Sequence, residues 1–251
     1  MLTAVIILQS DALKSSNLPY IECMKENNRF RRILLNTLLL VSLLWCLKSA
    51  ELLFHWSLSW MGIHPNTPMG LVGIFTAPLV HGSLEHLFNN TLPLIIMGTM
   101  LAVGYPKVWW RVLWLIWLLS GLGVWLFARE ANHIGASGIA HGLFFFILVA
   151  SMFRRDKSSV AIMMIVFLLY GGMTMTIFPR EEYISFEYHF FGALAGVIAA
   201  FLWRSVDPLP PVKRYRWELV NEDDPVIGNE WQQGMEAEQQ TPQSNSETEK
   251  S

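Results

Sequence analysis

The sequence predicts an all-α polytopic membrane protein with six transmembrane helices. Three observations carry that expectation: a composition too apolar for water, six apolar runs of bilayer length, and basic residues gathered in alternate connections. The chain is 53% hydrophobic and only 15% charged, with a mean hydropathy of +0.36. A soluble domain carries about a quarter charged residues. Eleven Trp and twelve Met suit a lipid-facing or tightly packed helical bundle. The net charge of -2 hides a basic set around the spans, cancelled by an acidic tail. No basic patch with interleaved aromatics lies away from the helix ends, so nucleic acid is not an expected partner. Cys23 and Cys46 lie in a basic flank and an apolar span, which predicts neither a disulfide nor a metal site.

Crossing the hydrocarbon core takes about 20 apolar residues. Such stretches run approximately over 33–54, 84–104, 108–128, 137–153, 159–178 and 187–204. Residues 55–83, rich in Trp, Gly and Pro, form a long connection that is too apolar for a flexible linker. Lys25, Arg29, Arg31 and Arg32 precede the first span, Lys107 lies between the second and third, and Arg111 stands at the start of the third. Arg154, Arg155 and Lys157 separate the fourth and fifth, while Arg204, Lys213, Arg214 and Arg216 follow the sixth. The opposite connections hold only Arg129 and Arg180. The positive-inside rule therefore puts both termini in the cytoplasm and Ser137 near the external face.

The expected organisation is a cytoplasmic N-terminal segment (1–32), a six-helix domain (33–204) and a cytoplasmic, acidic tail (205–251). The tail is rich in Glu, Gln, Ser and Asn and is expected to be largely disordered. Residues 1–10 lack the basic n-region of a signal peptide. Met24, followed by Lys25 and the arginines, makes a more ordinary start for a membrane protein than Met1 does.

Polar residues at the span ends supply the candidate chemistry. Gly135-Ala136-Ser137-Gly138 places a serine in a glycine-lined turn where the fourth span begins. His189 opens the sixth span in His189-Phe190-Phe191-Gly192-Ala193-Leu194-Ala195-Gly196. Gly138 and Gly142 are spaced i, i+4, as are Gly192 and Gly196, giving two small-residue faces for close helix approach. Such faces would bring Ser137 within reach of His189, a nucleophile and a base. An ionisable residue inside a span marks function by default, and burial keeps an imidazole neutral, as a general base must be. On a helix, His86 and Asn90 are i, i+4 neighbours offering two donors on one face. With the Ser137 amide they could hold an oxyanion. The bland alternatives are a close-packed serine, a histidine bonded to a carbonyl, and polar residues facing headgroups. His81 and His86 are five apart, about 140° around a helix, a poor spacing for a shared metal.

Taken together, His81-x4-His86-x3-Asn90, Gly-x-Ser-Gly and His-x2-Gly-x3-Gly, in this order on spans two, four and six, resemble the rhomboid family of intramembrane serine proteases. The resemblance covers about residues 75–204. It implies a six-helix rhomboid core, a Ser137–His189 dyad without an acidic third member, and oxyanion stabilisation by His86 and Asn90. His81 would be structural and border the site, with Gly135, Gly138, His141, Gly192 and Gly196 lining or shaping it. Residues 179–186 would match the family's mobile cap. The implied substrates are transmembrane proteins in the lipid bilayer, cut without metal or cofactor, in a bacterial inner membrane. The oligomeric state stays open. Two departures stand out. Many members carry Trp-Arg in the first external loop, whereas residues 55–83 contain no Arg. Where many have a tyrosine stacked on the catalytic histidine, this chain has His141. The rival reading is a catalytically inactive rhomboid-like protein that binds membrane helices. A transporter fits less well, because the polar residues gather at one face.

Overall fold

The computed structural model describes residues 2–179, 184–207 and 209, with side chains from residue 27 onward. The acidic tail beyond Leu209 and the middle of the expected cap, residues 180–183, lie outside the described residues. Among the described residues there are seven α-helices: α1 (Leu2–Leu53), α2 (Pro68–Thr76), α3 (Leu84–Gly104), α4 (Trp109–Phe127), α5 (Ser137–Arg154), α6 (Lys157–Tyr170) and α7 (Phe186–Trp203). Six stretches of the described residues are long and apolar enough to cross a membrane: Asn27–Leu53, Leu84–Gly104, Trp109–Phe127, Ser137–Arg154, Lys157–Thr174 and Phe186–Trp203. These are the six spans the hydropathy predicts.

The first helix extends beyond the apolar stretch of residues 33–54 and runs unbroken from Leu2. Its arginines and lysines are good helix formers and prolong the helix beyond the apolar stretch. The long connection is not merely interfacial coil. It contains α2 and two single 3-10 turns, Ser59–Met61 and Ala77–Leu79. Thr67 caps α2 by accepting from the Gly70 amide, and Pro68 sits at the first helical position, where its missing N–H costs nothing. Indole donors from α4 hold this segment: Trp117 donates to the Ile74 carbonyl and Trp125 to that of Thr67.

Three further helices start where short polar side chains cap them. Ser83 accepts from the His86 amide at α3, Asp156 from Ser159 at α6, and Ser185 from Tyr188 at α7. Pro93 lies inside α3, a position that membrane helices tolerate. An ion pair anchors the end of α1: Lys48 Nζ lies 2.7 Å from Glu51 Oε2 and also donates to the Gly82 carbonyl, while Glu51 Oε1 accepts from the Leu58 amide. The turn into α3 is thereby tied to α1.

α5 is the central helix, with 67% of its span buried against 11% for the peripheral α6 span. Its main partner is α7. A Cβ on Gly192 would run into the Gly138 carbonyl, and one on Gly196 into the Gly142 carbonyl. The two backbones thus touch at successive turns. Gly196→Val is expected to destabilise the protein by about 1–3 kcal/mol or more, the usual cost of overpacking. A lowered melting temperature in detergent micelles would register it; an unchanged one would show that the contact is loose.

Candidate active site

Ser137 is the first residue of α5 and His189 lies one turn into α7. The glycine contact sets these two helix starts side by side at one end of the bundle. Both residues are 8% exposed. The turn before Ser137 requires glycine at one position. Gly135 has φ +106, and a Cβ there would come within 2.5 Å of the His86 ring. The His86 imidazole therefore lies against the turn that presents Ser137. His81 holds the same turn from another side, its Nε2 accepting from the Ala136 amide at 3.3 Å. The His81 and His86 rings meet edge to face with centroids 5.1 Å apart.

The first intrahelical amide of α5 belongs to Ala140, bonded to the Ala136 carbonyl. Among the described residues, the amides of Ser137, Gly138 and Ile139 have no acceptor. These are the orphan donors of a helix N-terminus, where negative charge is favoured. The expected donor pair beside them divides. Asn90 is buried and spends one amide hydrogen on the His86 carbonyl of its own helix, at 3.1 Å. The half-buried His86 reaches the turn through its ring.

His189 is fixed by a group the sequence does not flag. Its Nδ1 lies 3.0 Å from the Thr176 carbonyl. A carbonyl only accepts, so the proton of the neutral ring sits on Nδ1 and Nε2 keeps its lone pair. His141 stacks on it almost in parallel, with centroids 3.9 Å apart and planes inclined by 10°. His141 Nδ1 donates to the Ser137 carbonyl at 2.7 Å, and its Nε2 lies 2.7 Å from the Thr176 hydroxyl, which also faces the Met173 carbonyl at 3.0 Å. Thr176 thus orients both imidazoles, one through its carbonyl and one through its side chain. No motif marks Thr176, because its part depends on the 3-10 turn Gly171–Thr174 bringing the chain back over α5. Among the described residues, no hydrogen bond joins Ser137 Oγ to His189.

His133, in the loop between α4 and α5, is marked by no motif. His133 is 1% exposed and pairs through its backbone with Ile63, both ways. Its ring bonds the Ser185 hydroxyl at 2.6 Å and the Arg129 carbonyl at 3.1 Å. Arg129 in turn donates to the Ile184 carbonyl and lies 3.5 Å from Glu187 Oε1. The described C-terminal end of the expected cap is therefore tied to the loop between α4 and α5. Burial, partly opposed by the bond to the Arg129 carbonyl, holds the His133 pKa below the usual histidine value.

With this geometry in place, the comparisons with known proteins become decisive. Residues 68–206 match the family model of the Rhomboid domain, more than half of the chain. The chain belongs to the rhomboid family. An uncharacterized protein of Mycobacterium tuberculosis is 35% identical over 172 residues, covering 64% of this chain and 71% of its own. An uncharacterized protein of Mycobacterium leprae is 31% identical over 202 residues, covering 76% and 80%. No solved structure matches the chain significantly. The rhomboid domain and the six apolar helices make this an integral multi-pass membrane protein. Rhomboids are generally serine proteases acting on transmembrane substrates within the bilayer.

Two expectations follow from the site's hydrogen bonds and burial. Thr176→Val keeps shape and carbonyl but leaves His141 Nε2 unpaired in a buried position, a loss of about 1–3 kcal/mol readable as a lower melting temperature. Burial, and next the neighbouring His86, push the His81 pKa from 6.5 down to about 4. The unfolded chain therefore binds a proton between about pH 6.5 and 4 while the folded protein does not. The stability is fully present above that window and is lost as pH falls through it, with a slope up to about 1.4 kcal/mol per pH unit. Melting curves of wild type and His81→Gln across the window should converge at low pH; parallel curves would remove His81 from the acid response.

Proposed function

We propose that this rhomboid is an active intramembrane serine endopeptidase that cuts peptide bonds in or next to transmembrane segments of other membrane proteins. The observation that carries the reading is the contact of His189 Nδ1 with the Thr176 carbonyl at 3.0 Å. The Thr176 carbonyl holds the proton on Nδ1, leaving Nε2 as a base beside the α5 start that carries Ser137.

In the proposed reaction, Ser137 Oγ gives its proton to His189 Nε2 and attacks the scissile carbonyl carbon. The resulting oxyanion is met by the Ser137 amide, which has no other acceptor among the described residues, and by His86. Asn90 contributes its second amide hydrogen. Collapse breaks the C–N bond as Nε2–H protonates the leaving amine. Water then attacks the acyl-enzyme, His189 takes its proton, and Ser137 is released. Preorganised donors of this kind are each worth about a hundred- to thousand-fold in rate. Catalytic hydrogen bonds are often long in an unliganded enzyme and tighten with substrate, which reconciles the missing Ser137–His189 bond with this role. His141 serves as the stacking platform in place of the more common tyrosine.

The basic residues favour cytoplasmic termini, and the mycobacterial relatives favour a bacterial inner membrane. Under that topology residues 33–204 form the protease domain, flanked by cytoplasmic segments 1–32 and 205–251. The test is cleavage of a generic rhomboid transmembrane substrate in liposomes. Wild type is expected to cut, insensitive to chelators, while Ser137→Ala and His189→Ala each lose at least a thousandfold in rate. Cleavage that survives Ser137→Ala would overturn the mechanism. Absence of cleavage by folded wild type across several substrates would leave a helix-binding rhomboid.

A further inference from the structure

We propose that the groove between α1, α3 and α4 is a binding site for an anionic phospholipid, with the phosphate held by Arg29 and Arg32. The groove is a space of about 430 Å³, within the size of ligand pockets, about 300–1,000 Å³. Its walls are apolar for most of their length, with Leu40 from α1, Gly98 from α3 and Leu113 from α4 facing it. One end lies at a membrane face, because Pro106 and Trp109, in and just after the turn between α3 and α4, line it. Arg29, Arg32 and Asn36 line the groove from α1, and both arginines are exposed. Neither forms an ion pair among the described residues; Arg32 Nε only donates to the Asn28 carbonyl at 3.4 Å. The other end reaches Leu79 and Ala136, below the turn that carries Ser137.

The setting selects the occupant. All three helices span the bilayer, so the groove opens towards acyl chains rather than water. A long apolar channel with two guanidinium groups at its interfacial end matches one acyl chain and one phosphate of the same molecule. Arginine pairs with phosphate through two parallel hydrogen bonds, and Trp109 stands at the depth where indoles prefer to lie. Basic pockets between spans bind anionic headgroups in this way. The lipid belongs to the leaflet on the Arg29 side, away from Ser137. Bound there, its chain would also fill the gap beside Ala136, whose amide His81 holds.

Native mass spectrometry of the full chain released from detergent tests this, with dioleoyl phosphatidylglycerol and dioleoyl phosphatidylcholine as probes. Wild type is expected to retain the anionic lipid on the order of tenfold more than the zwitterionic one, and R29Q/R32Q to abolish that preference. Gly98→Leu, whose Cβ meets only an ordinary contact at Thr37, should fill the groove and reduce retention of both lipids. Circular dichroism and melting temperature verify that each variant is folded. Equal retention of the two lipids by wild type overturns the proposal, as does a preference that persists in folded R29Q/R32Q. A wild-type dimer that Gly98→Leu dissociates would give the groove to a second copy and also overturn it.

Discussion

The structure depends on one contact: the backbone-to-backbone packing of α5 on α7 through Gly138 and Gly192, then Gly142 and Gly196. In a bilayer the hydrophobic effect does not drive helices together, so association relies on close van der Waals packing and on hydrogen bonds. Removing four Cβ atoms lets the helix axes approach until carbonyls of α5 lie against α7 backbone. The space for larger groups is recovered beside the contact, where the Tyr188 ring covers Gly138 and Ile116 covers Gly142. The same approach places the first turns of the two helices together, and everything polar at that end is arranged around them.

Around this pair the chain meets a severe demand, since buried polar groups must find partners without bulk water. It does so by tying loops to one another and to the helices. His81 takes the Ala136 amide, His133 joins Arg129 to Ser185, Lys48 bridges Glu51 and Gly82, and Thr176 serves two imidazoles. At the start of α5 the Ser137, Gly138 and Ile139 amides have no acceptor among the described residues, so the helix N-terminus there favours negative charge.

Much of the fold was legible because its signals are local. Six apolar stretches gave six spans, since length and hydropathy are properties of consecutive residues. The three motifs stood out because glycine and histidine are conspicuous at helix starts. What stayed hidden depends on tertiary contact. α2 has only nine residues and is held by indoles from α4, 43 and 58 positions away in sequence. The part His133 plays is not legible locally, because nothing near it in sequence shows that Ile63 will pair with it. Thr176 carries no signature at all, and its carbonyl would serve as well from another residue type; only its hydroxyl is particular to threonine. The helical run upstream of residue 33 was not legible for a different reason: hydropathy marks where lipid contact begins, not where a helix does.

The pairing of His141 with His189 shows why residue type at a stacking position is not a free choice. A tyrosine platform brings a ring and one hydroxyl; an imidazole brings two nitrogens, both of which must be satisfied when buried. Here one donates to the Ser137 carbonyl and the other lies 2.7 Å from the Thr176 hydroxyl. The stack is therefore tied by hydrogen bonds both to the turn carrying the serine and to the segment orienting the histidine beside it. Parallel rings 3.9 Å apart also tolerate only one charge between them, because two imidazolium ions at that distance would repel in a medium that screens poorly.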